Sequence, residues 1–204
     1  MILESYCYSS NSFVTLTYND ECLPKDGSVH FDHLRKFVNN LRSRLKGRRF
    51  RYFGVGEYGD KSERPHYHLI LFGVDHIGDS EAIGKSWRLN RVQPGFVDIG
   101  TVNKDSIQYV CGYTIKKMTK EDDPRLHGRN PEFSIQSRHP GIGVPALPEI
   151  AKLINEEITI LEEKILTTYA DRDWETKESE EGTVRDKPKE ESKDQAKAES
   201  TGRS

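Results

Sequence analysis

The sequence predicts an α+β domain, and three observations carry that expectation. Short segments of β-favouring residues recur between stretches whose apolar residues follow helical spacing. Two of those segments, 50–58 and 65–72, are separated only by a polar turn from Gly59 to Arg64, which makes them an antiparallel hairpin. The second runs Pro65-His66-Tyr67-His68-Leu69-Ile70-Leu71-Phe72 until Gly73 stops it, and both of its alternating faces are largely apolar. That is the pattern of a central strand covered on both sides.

The remaining elements follow in chain order. Met1 to Asn11 is short, polar and without a pattern. Phe13-Val14-Thr15-Leu16-Thr17-Tyr18 alternates with high β propensity and ends at Asn19-Asp20, a first strand. Pro24 and Asp26-Gly27 mark a loop. Asp32 is the expected N-cap of a helix to about Lys46, with Leu34, Phe37, Val38, Leu41 and Leu45 at helical spacing and Gly47 as its stop. Phe50 to Tyr58 is a second strand in which Gly54 and Gly56 suit the close approach of another group. Asp79 to Arg88 reads as a short helix and Phe96 to Val102 as a further strand. Asp105 to about Lys120 is a helix with Ile107, Val110, Cys111, Thr114 and Met118 on one side. Tyr109, Tyr113, Lys116 and Lys120 fall on the other. Loops rich in Pro and Gly follow, Phe133 to Gly143 among them. From Pro148 to Tyr169, Ile150, Ile154, Ile158, Leu161 and Ile165 form a helical stripe, suited to docking on the domain more than to pairing with a second copy.

Composition bounds the class. With 34% hydrophobic residues and a mean hydropathy of −0.77, the 204 residues are too polar to pack wholly into one core. No apolar run approaches the roughly 20 residues of a membrane span, and no secretory signal pattern opens the chain. Cys7, Cys22 and Cys111 are odd in number and scattered, which argues against a disulfide framework or a thiolate zinc site and for a reducing cytoplasmic setting. The expected organisation is an extension over 1–11, a domain over 12–147, a C-terminal helix over 148–170 and a disordered acidic tail over 171–204.

Charge and side-chain chemistry suggest a polyanionic ligand. The net charge of −2 conceals an asymmetry, because residues 1–148 carry +4 and each of 149–170 and 171–204 carries −3. Arg35, Lys36, Arg42, Arg44, Lys46, Arg48, Arg49 and Arg51 lie in a window from His33 to Gly56 that holds no acid. Such a block is a candidate nucleic-acid surface, with a solvated helix face as the competing reading. His66 and His68 share one face of their strand and could bind one metal ion or polarise one phosphate; a plain pair of hydrogen-bonded histidines is the alternative. If Tyr58 sits opposite Pro65, then Glu57 faces His66, and one acid and two imidazoles converge on one face of the sheet. Tyr109 and Tyr113, one helical turn apart with lysines alongside, form a polar face suited to a phosphodiester.

Together these segments resemble the HUH endonucleases, in particular the gokushovirus-like replication initiators of the microviruses. Phe13 to Tyr18 with Asn19-Asp20 resembles the family's first motif, His66-Tyr67-His68 its histidine–hydrophobic–histidine motif, and Tyr109-Val110-Cys111-Gly112-Tyr113 with Lys116-Lys117 its two-tyrosine motif. Phe133 to Gly143 also resembles a gokushovirus segment. The resemblance covers roughly residues 12–145 and implies a five-stranded antiparallel sheet flanked by helices, related to RNA-recognition folds. It implies Mg²⁺ or Mn²⁺ held by His66, His68 and Glu57. It also implies a tyrosine, Tyr109 or Tyr113, that nicks single-stranded DNA at a replication origin through a 5′-phosphotyrosine and later rejoins the strand. Lys116 and Lys117 are expected to assist the catalytic tyrosines, and Arg42, Arg44, Lys46, Arg48, Arg49 and Arg51 to bind DNA. Host replication proteins are further candidate partners; a membrane is not. The family's initiators usually carry a longer stretch before the first strand, where this chain has about a dozen residues. Alternative readings are a non-catalytic single-strand-binding module, a related HUH transposase or relaxase, and a structural metal site in an ordinary α+β protein.

Overall fold

A computed structural model describes residues 1–116, 120 and 122–181, with 113–116 and 170–181 described as backbone alone. The elements run α1 (Ile2–Tyr6), β1 (Asn11–Leu16), α2 (Phe31–Arg44), β2 (Arg51–Tyr58), β3 (Pro65–Phe72), α3 (Ser80–Gly84), β4 (Val97–Thr101), α4 (Lys104–Lys116), β5 (Phe133–Gln136) and α5 (Leu147–Glu181). Five strands make one sheet in the order β4-β1-β3-β2-β5, with every neighbouring pair antiparallel. The expected α+β class with about five antiparallel strands is therefore the observed one, and β3 is central. The chain divides into two compact units, Met1–Ala151 and the segment from Lys152 onward.

Alternation along the strands assigns each face its own layer. On the rear face, Val14, Leu16, Tyr67, Leu69 and Leu71 pack against Leu34, Phe37, Val38 and Leu41 of α2 and against Ile83 and Trp87. On the front face, Phe53, Val55, Ile70 and Phe72 pack against Ile107 and Val110 of α4. Both layers are closed to water, with Leu69, Ile70, Leu71 and Phe72 fully buried. The two glycines of β2 serve the rear layer. A methyl group at Gly56 would stand 2.7 Å from the Phe133 ring, and one at Gly54 would stand 3.2–3.4 Å from Leu69 and Leu34 side-chain atoms.

Several boundaries differ from the sequence expectation. The segment expected to be patternless, Met1 to Asn11, contains α1 and the first residue of β1. Glu4 of α1 is fully buried; its Oε1 accepts from Arg51 Nε at 2.6 Å and its Oε2 from the Gly143 amide at 2.6 Å. A buried carboxylate needs such partners, and they lie 47 and 139 positions away, beyond the reach of local patterning. The expected loop from Phe133 includes β5, whose four residues gain their strand character from pairing with β2. Helix α2 starts at Phe31 with His30 at the cap; Asp32 sits instead in the first turn, where its charge favours the helix dipole. Helix α5 continues past residue 170 to Glu181, through residues dominated by helix-compatible Glu, Lys and Arg, so the start of the expected tail is helical. Residues 182–204, the rest of that expected tail, lie outside the described residues. Within the second unit the Ile154, Ile158, Leu161 and Ile165 side chains are exposed.

Removing Glu4 should test the long-range tie. Glu4→Ala leaves Arg51 without its carboxylate and should lower stability by about 3 kcal/mol, read from urea denaturation midpoints. A loss below about 1 kcal/mol, the scale of an exposed pair, would contradict a structural role for this contact.

Candidate metal centre

The hairpin register places the site. Across β2 and β3, Tyr58 pairs with Pro65 and Glu57 with His66, and across β1 and β3 Thr15 pairs with His68. Glu57, His66, His68 and Thr15 therefore share the front face, near the end of the sheet where β2 finishes and β3 begins. Tyr67, between the histidines, points to the rear face. There its hydroxyl meets Tyr18 Oη at 2.6 Å and accepts from the His30 amide at 3.0 Å. Burial pushes the Tyr67 hydroxyl up to about 12 and raises Tyr18 as well, so both remain neutral core phenols.

Both imidazoles converge on one carboxylate oxygen. His66 Nε2 lies 3.0 Å and His68 Nε2 3.1 Å from Glu57 Oε1, with Glu57 only 2% exposed. His66 Nδ1 donates to the Arg64 carbonyl at 2.9 Å, which in the neutral ring leaves the Nε2 lone pair aimed at the carboxylate. Two acceptors at that distance need a proton or a cation between them. His68 Nδ1 is 3.0 Å from Thr15 Oγ1, and Phe13 stacks on the same imidazole at 5.7 Å with 7° between planes. These contacts fix the orientation of His68. Burial alone would raise the Glu57 carboxyl, but hydrogen bonds from His66 and His68, together with their charge, hold it below the ordinary glutamate range.

The donors suit a divalent cation. The three ligand atoms lie within 4.8 Å of one another, and Glu57 Oε2 is buried with no hydrogen-bond partner. An unsatisfied oxygen on a buried anion is costly, and a bound cation would offset that cost. Ligands at right angles on an ion with bonds of about 2.1 Å stand roughly 3 Å apart, close to the observed nitrogen–oxygen spacings. Two imidazole nitrogens and a carboxylate form a mixed donor set that divalent first-row ions accept.

A family model described as replication-associated protein ORF2 matches residues 11–120, which span this centre and the start of the tyrosine helix. The chain belongs to that family. Relatives include replication-associated protein VP4 of Bdellovibrio phage phiMH2K, 32% identical over 67% of this chain and 48% of the relative. Replication-associated protein ORF2 of Spiroplasma virus 4 is 32% identical over 74% of this chain and 51% of its own length. Replication-associated protein ORF4 of Chlamydia phage 1 is 30% identical over 56% and 33% respectively. The chain thus spans about half, or less, of the length of the curated relatives it matches.

Within this family member, the expected site residues divide into three groups. His66, His68 and Glu57 come together as the sequence implies. Tyr109 of α4 joins them: it is 47% exposed, yet its ring meets the His68 ring edge-on at 5.2 Å and the Phe13 ring at 6.4 Å. Tyr113 and Lys116 lie on α4 with their side chains outside the described residues, as does the whole of Lys117. The basic residues go elsewhere. Arg42, Arg44, Lys46, Arg48 and Arg49 are exposed at and beyond the end of α2, and Arg48 pairs with Asp79. Arg51 is committed to Glu4 and to the Pro140 and Gly141 carbonyls, a structural use that corrects its expected place on a DNA surface. Thr15 and Phe13 are site residues that sequence reasoning missed, although they alternate on the first-motif strand in step with the histidines. Among the described residues no helix is long and apolar enough to cross a membrane.

The centre should bind metal without DNA. Adding Mn²⁺ at about 100 times its dissociation constant should stabilise the folded chain by about 2.7 kcal/mol, read as a rise in Tm. Glu57→Gln keeps the shape but removes the charge and should abolish that rise; an equal rise in the variant would place the ion elsewhere.

Proposed function

We propose that the chain nicks single-stranded DNA at a replication origin and later rejoins it, as the initiator of rolling-circle replication in a microvirus of the gokushovirus type, acting in the cytoplasm of a bacterial host. The observation that carries this reading is the meeting of a phenol with the metal centre, through the edge-on contact of Tyr109 and His68. Membership of a replication-associated family supports it, and so do three relatives from phages or a virus.

His66, His68 and Glu57 would hold Mg²⁺ or Mn²⁺. Such a cation supplies Lewis-acid polarisation of the scissile phosphate and offsets the charge that develops there. The protein's own groups supply the rest. Tyr109 is the proposed nucleophile: its phenolic oxygen forms a bond to phosphorus while the bond to the 3′-oxygen breaks. The 3′-oxygen takes up a proton and leaves as a hydroxyl, and the tyrosine keeps the 5′-phosphate. A free phenol ionises near pH 10, so the attack needs electrostatic help, for which Lys116 and Lys117 are proposed. The buried, neutral Tyr18 and Tyr67 do not compete. Tyr113, one turn along α4, is the proposed second nucleophile for the transfer that rejoins the strand.

Labelled origin-bearing single-stranded DNA and Mn²⁺ test this directly on denaturing gels. Wild type should give a covalent adduct that disappears with a chelator, and Tyr109→Phe should lose the first cleavage. Tyr109→Phe/Tyr113→Phe should form no adduct. An adduct that survives in the double variant, or without metal, would overturn the mechanism; binding without cleavage, on DNA that a full-length relative cuts, would favour a binding module.

A further inference from the structure

The basic block and the metal centre occupy opposite ends and opposite faces of the sheet. Along β2, Arg51 pairs with Phe72 and Glu57 with His66, so six residues at about 3.3 Å each separate the two ends by roughly 20 Å. The block follows α2, which covers the rear face, whereas the metal ligands lie on the front.

Two cavities meet at that far end. One, of about 470 Å³, runs between α2 and the edge strand β5; the other, of about 600 Å³, continues to the start of β2 and the chain after β5. They share Arg42, Ser137 and Arg138, and so form one continuous groove. No aspartate or glutamate lines either part. Among the described residues Arg35, Arg42, Arg49 and Arg138 form no ion pair with a carboxylate, unlike Arg48 and Arg51. Aromatic surface is interleaved with this charge. The Arg42 guanidinium lies 5.5 Å from the centre of the Tyr52 ring and 5.9 Å from that of Phe50, and Phe31 at the other end is 48% exposed. Unpaired guanidinium groups suit phosphates, while open rings and a stacked guanidinium suit bases; an acidic peptide would use only the charge.

We propose that this α2–β5 groove is a second nucleic-acid site, which holds a single strand by its phosphates and bases on the side of the sheet away from the metal centre. It rests on the reading that nucleic acid is the chain's substrate, and it adds that the strand is gripped and cut at separate places. Retention would then depend on the groove and chemistry on the metal centre.

The test uses the full chain, labelled oligo(dT) of about 30 nucleotides and a chelator, so that binding is read without metal or cleavage. The variant Arg35→Ala/Arg49→Ala/Arg138→Ala removes three exposed charges that touch no core ring. It should weaken binding about tenfold or more and reduce the slope of log affinity against log salt by about 2. Arg42→Lys keeps the charge and should weaken binding through lost stacking alone, with the salt slope unchanged. The Mn²⁺-dependent rise in Tm should persist in every variant, which shows that the fold and the metal centre are intact. His66→Ala/His68→Ala should bind oligo(dT) like wild type. Wild-type affinity in the triple variant would overturn the groove, as would equal competition by poly-glutamate. If groove-dependent binding holds while no adduct ever forms, the nicking reading fails and the groove stands; if adducts form with full affinity in the triple variant, the groove alone fails.

Discussion

One constraint organises this molecule: two imidazole nitrogens and a buried carboxylate oxygen must meet at about 3 Å on one face of a hairpin. Only a register with Glu57 opposite His66 achieves this, and that register also fixes which side chains of β3 face α4 and which face α2. Slipping the pairing by one residue would turn Glu57 to the rear layer and every apolar partner with it. Packing and chemistry thus share one determinant. Phe13, Thr15 and Tyr109 then complete the enclosure of His68.

The sheet separates two kinds of polar group. On the rear face Tyr18, Tyr67 and His33 satisfy one another inside the core, and burial keeps both phenols protonated. On the front face a carboxylate held in its charged form has an oxygen without a partner. The first arrangement is closed and the second invites a cation. Tyrosine alone therefore does not mark reactivity here; Tyr67 sits between the two ligands in sequence and on the other side of the sheet in space.

How much of this was legible depended on distance along the chain. The hairpin is local, so the turn from Gly59 to Arg64 and the alternation of β3 were enough to place Glu57 beside the histidines. The apolar stripe of α4 was equally readable, but the lean of the exposed Tyr109 ring toward Phe13 was not, because angular position on a helix says nothing about its neighbours. Strand β5 has four residues among loop-forming ones and exists by pairing with β2, a contact between positions some 80 apart. Glu4 looked like an ordinary surface acid until Arg51 and Gly143 closed around it. The basic block was visible as composition; its location, behind the sheet and away from the ligands, required the fold.

The central claim is that Glu57, His66 and His68 form a single cation site. Anomalous diffraction at the manganese edge from crystals of the chain soaked in Mn²⁺ tests it most directly. A single strong peak within bonding distance of both Nε2 atoms and the Glu57 carboxylate is the result this account predicts. No peak there at saturating Mn²⁺, or occupancy only at other carboxylates, would contradict it.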